Sequence, residues 1–450
     1  MALSMGQKIG WGLTDMGVVV FVIIKQLLVL AYMTSYLGIP IDIAGLVTTS
    51  VLVFDIITDP LVGYLSDKTI SRWGRRSPWM FIGALVMAGS TIGLFSVPIG
   101  SSTTISIIWV TIFFGLATIG FTMVAIPYSA TAGEMTQNPQ ERSSMTGWRM
   151  AFASIGILVG GALIPKLSSD MGHADAAIFV FPLIVGAIWF SLFFTRNAPR
   201  IERPSSKGFT AIIKLVLSNR AFSILTVIYG IMTFAVALIT AGLPFAAIYL
   251  IIDSGKTFLS ETANSLSLLS LLFAAFVIGS IISQAFWVYL SQKIGKLWAL
   301  LVGLCFYIIL LIVLHEVLPS IDVTAMSGLF VMAGIANGAY QQIPWAMYPD
   351  LMDITRKESG ESIEGAFSAV WLFGQKVANA FAPLILAIIL GANGWQETTQ
   401  GKVLQSSKAL ISLKISITLI PSAVLLLAIC VLVFIYKPSL SQLTQKISIH

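Results

Sequence analysis

The chain returns twelve times to an apolar run long enough to cross a bilayer: roughly residues 10–36, 43–66, 78–98, 103–131, 146–165, 176–195, 219–252, 263–291, 296–317, 323–348, 364–391 and 410–436. A membrane core takes about 20 helical residues. Lipid offers no hydrogen bonds, so runs of this length satisfy their own backbone as helices. Composition agrees: 57% of the 450 residues are hydrophobic and 10% charged, too little charge to cover a soluble surface of this size. The expected class is an all-α membrane protein, two pseudo-symmetric six-helix bundles over 1–195 and 220–450, joined by a polar loop at 196–219 and ending in a short tail. The N-terminus, MALSMGQKIGWG, shows no cleavage pattern and reads as the start of a mature first helix. Cys305 and Cys430 lie inside apolar runs and suggest neither a disulfide nor a zinc site.

Positive charge sets the expected orientation. With both termini in the cytoplasm, inner segments hold 18 of the 26 Lys and Arg residues. Outer loops hold four (Lys166, Lys256, Lys402, Lys408), and spans hold Lys25, Arg149, Lys376 and Lys414. That asymmetry is the positive-inside pattern. It also explains the net charge of +6 without nucleic acid, because no basic face is clustered. The halves echo each other. Tyr64-Leu65-Ser66-Asp67-Lys68 returns as Tyr289-Leu290-Ser291-Gln292-Lys293, and Ile126-Pro127-Tyr128 as Ile343-Pro344-Trp345, as a duplicated six-helix unit predicts.

The informative residues are charges at bilayer depth: Lys25, Asp55, Asp59, Arg149 and Lys376. Each costs about 2.5–3.5 kcal/mol at a helix centre facing lipid, so they are expected to face a bundle interior or an aqueous cavity. The plainer reading is that they pair to hold helices together, with Asp55 bridged to Lys376 or Arg149. Asp55 and Asp59 stand one turn apart, about 40° around the helix. Two such carboxylates repel unless a cation or proton lies between them. Thr58 on the flank, the carbonyl of Ile56 freed by Pro60, and Thr122 add oxygens suited to Na⁺ or H⁺ rather than a transition metal. Lys376, with Asn379 one turn on, is the expected coupling residue, its ammonium on the carboxylates without the cation and turned to substrate with it.

Tyr128, Trp345 and Trp371 can supply stacking faces for a sugar, and Gln341 and Gln342 amide contacts; packing is the plainer role for such aromatics. Between the second and third spans, Gly63-Tyr64-Leu65-Ser66-Asp67-Lys68 leads to Arg72-Trp73-Gly74-Arg75-Arg76. The expectation is a cytoplasmic latch: Gly63 permits close helix approach, Asp67 accepts hydrogen bonds, and Arg72, Arg75 and Arg76 grip the other half in one state. Glu134, Asp350 and Asp353 are candidate partners.

With Gly10-Trp11-Gly12-Leu13-Thr14-Asp15, Asp55-Ile56-Ile57-Thr58-Asp59-Pro60, Trp73-Gly74-Arg75-Arg76, Arg142 to Arg149, Pro344-Trp345 to Asp353 and Gln375-Lys376, the sequence resembles the glycoside–pentoside–hexuronide:cation symporters of the major facilitator superfamily, typified by melibiose permease. The resemblance implies the twelve-helix facilitator fold, a cation site at Asp55, Asp59 and Thr122 beside Lys376, and Arg149 in the substrate region. It departs where the galactosyl-gripping carboxylates would fall, at Gly17 and Ala125, and at Ser129 in place of a tryptophan. Lys25 is instead an extra cation. Counted with Arg149 and Lys376 against Asp55 and Asp59, it leaves a positive surplus that points to an acidic substrate such as a uronide.

The expectation is therefore a symporter that imports a sugar or glycoside with Na⁺ or H⁺ by alternating access. It has no cofactor, sits in the plasma (bacterial inner) membrane, and works as a monomer. The rivals are a carrier of lipid-like or other polar organic solutes on the same scaffold, a non-transporting sensor, and a membrane enzyme. The last lacks a constellation, since His173, His315 and His450 stand near outer loops or in the tail.

Overall fold

A computed structural model describes residues 3–136, 138–199, 209–320, 322–359 and 364–440. Twelve helices are long and apolar enough to span a membrane. They are α1 (Met5–Ser35), α2 (Ile41–Lys68), α3 (Ser77–Phe95), α4 (Thr103–Ala132), α5 (Ser144–Met171), α6 (His173–Thr195), α7 (Arg220–Tyr249), α8 (Leu268–Ile294), α9 (Lys296–Val317), α10 (Val323–Thr355), α11 (Ala366–Ala392) and α12 (Ser407–Leu440). Each corresponds to one apolar run of the sequence. The differences lie at the ends. Ser4 caps α1 reciprocally with Gln7, so the helix starts before its apolar stretch. Ser267, with φ +66, interrupts the eighth run and leaves Ser260–Leu266 as a separate helix. In the expected central loop at 196–219, Phe209–Ser218 is helical; its apolar residues recur every three or four positions, a spacing that makes one helix face.

The chain forms two compact units. The first holds Met1–Arg203 with Glu261–Ala274 and Gly394–Gln405; the second holds Pro204–Ser260, Ala275–Asn393 and Ser406–His450. The α11–α12 connection thus belongs to the first unit, against the division expected from the sequence. Its backbone explains why: Thr398 N donates to Thr34 O at 3.0 Å and Gly401 N to Ser35 O at 2.8 Å, meeting carbonyls that the end of α1 leaves open. Ile41 N, at the start of α2, donates to the Glu397 carboxylate at 3.0 Å.

Glycine allows the tightest crossings. A Cβ on Gly120 of α4 would lie 2.3 Å from Met87 N of α3, and one on Gly334 of α10 would lie 1.9 Å from Phe276 O of α8. Small residues of this kind let backbones touch in lipid. The sequence echo has a structural counterpart: Lys68 lies over the Tyr64 ring at 4.3 Å and Lys293 over the Tyr289 ring at 5.8 Å.

Candidate functional site

In the first unit, α1, α2 and α4 meet around Asp55. Thr122 of α4 is fully buried, and its hydroxyl donates to Asp55 Oδ1 at 2.6 Å, with Asp59 Oδ1 at 3.3 Å. One proton cannot serve both equally, so the bond to Asp55 dominates and the hydroxyl bridges the pair. Asp55 is buried and Asp59 partly buried. The expected trio of Asp55, Asp59 and Thr122 is therefore together. Thr58 differs from expectation in direction: its hydroxyl donates to the backbone carbonyl of Asp55 at 3.1 Å, one turn back along its own helix.

Lys25 of α1, a substrate candidate in the sequence, stands at Asp55 of the carboxylate pair. Its Nζ lies 3.7 Å from Asp55 Oδ2, with both side chains under a tenth exposed, and 4.3 Å from the centre of the Phe121 ring. The ammonium thus contacts both a carboxylate and an aromatic face.

A second charged pair joins α1 to α5. Arg149 Nε donates to Asp15 Oδ2 at 2.9 Å; the arginine side chain is 34% exposed and the aspartate 5%. The Arg149 guanidinium carbon lies 5.7 Å from the Tyr128 ring centre, and Trp11 packs on the same ring with centroids 4.8 Å apart. Tyr128 is 2% exposed, so packing occupies its ring faces, and its hydroxyl has no hydrogen-bond partner among the described residues. Asp15 is the charged partner of Arg149 that sequence reasoning missed. It sat in the quoted Gly10–Asp15 motif, and its place in the apolar run was the signal. Its inclusion corrects the charge count: Lys25 and Arg149 meet three carboxylates, Asp15, Asp55 and Asp59. With Lys376 of the second unit added, the positive surplus disappears.

The α2–α3 loop is tied to its own unit. Arg75 Nη2 and Arg76 Nε converge on Glu134 Oε1 at 2.5 and 2.8 Å, and Arg76 Nη2 lies 2.9 Å from Asp67. Arg72 is exposed. A cavity of about 390 Å³ runs beside these groups and reaches Trp11 and Thr131, whose side chains share a 2.9 Å hydrogen bond. Gly63 does not serve the close approach expected of it, since a Cβ there would meet Ile126 at an ordinary 3.5 Å. Outside the spans, Glu141 accepts from Thr136 Oγ1 at 2.6 Å and from Leu3 N at 2.8 Å. The Thr136 hydroxyl foremost, then the Leu3 amide, holds its carboxyl below the ordinary glutamate range.

The second unit answers with aromatic groups. Trp345 Nε1 donates to Tyr229 Oη at 2.9 Å. Tyr229 stacks on Trp371 at 4.3 Å, and Trp371 stacks on Tyr348 at 5.1 Å. Trp371 is fully buried, so its role is packing, and its indole N–H has no hydrogen-bond partner among the described residues. Gln341 is exposed and accepts weakly from Ser280 at 3.4 Å. Lys376 and Asn379 are partly buried on α11. Asp350 pairs within its own unit, accepting from Lys296 at 2.6 Å, and Asp353 is exposed.

A bundle of this design, with paired charges inside its spans, is the architecture of a solute carrier, and comparison with known proteins agrees. Residues 10–437 match the family described as MFS/sugar transport protein. The chain belongs to that family of major facilitator transporters. It is 28% identical to the uncharacterized symporter YjmB of Bacillus subtilis (strain 168), over 97% of this chain and 93% of that protein. It is 24% identical to a glucuronide carrier protein homolog of Escherichia coli (strain K12), over 96% and 92%. The sodium-dependent lysophosphatidylcholine symporter 1 of Gallus gallus is also 24% identical, over 84% and 76%.

Proposed function

We propose that this carrier takes up a neutral, hydroxyl-rich solute of the glycoside class together with one monovalent cation. The observation that carries the reading is the Thr122 hydroxyl shared by Asp55 and Asp59 in the interior of the first unit. Within the first unit alone, three carboxylates stand against two basic groups, and a single Na⁺ or H⁺ is the charge that balances them while Lys376 is turned to substrate. Arg149 is the group an acidic sugar would seek, yet Asp15 already neutralises it at 2.9 Å; the balance favours a neutral glycoside over a uronide. Asp15 and Arg149 can together hydrogen-bond sugar hydroxyls as acceptor and donor. Lys376 is the proposed coupling residue, and the loop held by Glu134 is the proposed cytoplasmic gate, with both termini on that side as the positive-charge bias argues.

The test is uptake into proteoliposomes under an imposed Na⁺ or pH gradient, with neutral glycosides, uronides and lysophospholipids in parallel. Neutral glycosides are expected to accumulate uphill, and Asp55→Asn combined with Asp59→Asn to reduce accumulation to equilibration. Uphill uptake by that double variant defeats the symport reading. Uptake confined to lysophospholipids replaces the glycoside by the lipid cargo.

A further inference from the structure

We propose that the Lys25 ammonium is a tethered occupant of the cation site: it holds Asp55 while the site is without an ion, and it is the competitor that a metal cation must displace. The inference rests on the symport reading above and concerns the same carboxylates.

Three observations converge on it. First, Lys25 lies within the span of α1, where an ammonium facing lipid is costly, yet its side chain is 8% exposed and ends 3.7 Å from Asp55 Oδ2. The position is that of a bound counter-ion delivered by the chain itself. Second, α4 serves both sides of the contact with adjacent residues. Thr122 donates to Asp55 Oδ1 at 2.6 Å, while the Phe121 ring backs the ammonium at 4.3 Å, and Phe21 adds a second ring at 5.6 Å. Both oxygens of Asp55 are thereby engaged. An alkali cation requires oxygen ligands, and the Oδ2 oxygen it would take already faces the Lys25 ammonium. Third, Arg149 pairs with Asp15 at 2.9 Å, whereas Lys25 is placed at the cation-site carboxylate Asp55.

The consequence is quantitative. When a ligand can bind only a fraction of the molecules, its apparent affinity falls by that fraction. With Lys25 seated on Asp55 in nine molecules of ten, Na⁺ binds about tenfold more weakly than the bare carboxylates allow. Lys25 is then a specificity-determining residue: it sets how strongly the carrier takes a metal cation, and its removal should turn a weak Na⁺ site into a strong one.

The experiment is equilibrium binding of radiolabelled Na⁺ to the purified full-length carrier in lipid nanodiscs, for the parent, Lys25→Met, Lys25→Arg, and Lys25→Met with Asp55→Asn. Lys25→Met is expected to bind Na⁺ at least tenfold more tightly than the parent, Lys25→Arg to stay near the parent, and the Asp55→Asn background to remove the gain. Equal or weaker Na⁺ binding by Lys25→Met overturns the proposal, as does a gain that persists without Asp55. Should Lys25→Met not fold, reductive methylation of the parent decides, read by peptide mass spectrometry. Na⁺ is expected to raise modification of Lys25 several-fold as the ammonium leaves Asp55; no rise, or a fall, overturns it. The two readings fail differently. If Lys25 is no competitor, the parent still accumulates solute on a gradient; if symport is wrong, the parent does not, whatever Na⁺ affinities the variants show.

Discussion

The two units share short sequence patterns and fill their interiors with opposite chemistry. At the repeated proline motif the first unit carries Tyr128, in contact with Trp11 and Arg149. The second carries Trp345, which donates to Tyr229 in a stack of rings. Around these positions the first unit buries ion pairs, Lys25 with Asp55 and Arg149 with Asp15, whereas the second buries Tyr229, Tyr340 and Trp371. Charges in a low-dielectric interior are held by partners whose loss is expensive and whose exchange for an ion or substrate is the means of transport. Rings are held by contact area, which no ligand needs to replace. On the proposed symport reading, the charged interior is the part that changes partners, and the aromatic interior the part that stays.

The strongest way to break this contrast is Arg149→Met. It leaves the buried Asp15 carboxylate without its partner; breaking a fully buried pair costs about 3–5 kcal/mol, and the partial exposure of Arg149 places this pair near the low end. Adding Asp15→Asn removes the orphaned charge and is expected to restore most of the thermal stability, measured by unfolding in detergent, while uptake stays lost. Equal melting of the single and double variants would mean that the pair carries no stability. Next comes Trp371→Ala in the second unit. Truncating a buried tryptophan costs roughly 3–5 kcal/mol in a water-soluble core. Lipid supplies no hydrophobic drive between helices, so the cavity part remains, roughly 2–3 kcal/mol. No neighbouring neutralisation is expected to rescue it. A rescue by Tyr229→Phe would show the stack to be polar in character after all.

How far the sequence disclosed this contrast differs between fold and site. Every span was legible, because lipid leaves a chain only length and apolarity to vary. The helix ends were not, since Ser4, Ser267 and Phe209–Ser218 are decided by caps, a single backbone dihedral and local periodicity. At the site, the Asp55–Thr122 contact was readable from the one-turn spacing and the resemblance. The partners of the basic residues were not. Lys25 and Asp55 are thirty positions apart in the chain, and Asp15 and Arg149 are separated by 134; which cation meets which acid depends on helix rotation. Asp15 was passed over because it stood near the start of a run, and that omission alone produced the positive surplus and the case for an acidic substrate.

A finer test inside the charged interior is Thr122→Val. The substitution keeps the shape of a fully buried side chain and deletes the hydroxyl that Asp55 and Asp59 share. A hydrogen bond to a charged group is worth about 1.5–3 kcal/mol, and sharing one proton between two acceptors places this one near the lower end. Uptake is expected to require a higher ion concentration, with half-saturation by the coupling cation moved upward at least several-fold. Unchanged ion dependence would place the cation elsewhere than on the bridged carboxylates.

The smallest expected effect lies on the aromatic side. Tyr340 is buried, its hydroxyl is 2.9 Å from that of Thr233, and its ring stacks on Tyr229 at 5.7 Å. Tyr340→Phe keeps the ring and the stack and deletes a hydroxyl that meets those of Thr233 and Tyr229. Interhelical hydrogen bonds in membranes average about 0.6 kcal/mol, so the melting temperature should fall by no more than a degree or two and the ion dependence of uptake should not move. Thr122→Val and Tyr340→Phe each remove one buried hydroxyl, one from each unit. If the interiors differ in the way argued, only the first alters the response to the cation. A shift in ion dependence with Tyr340→Phe would show that the aromatic interior also takes part in coupling, and the division of labour between charge and ring would have to be abandoned.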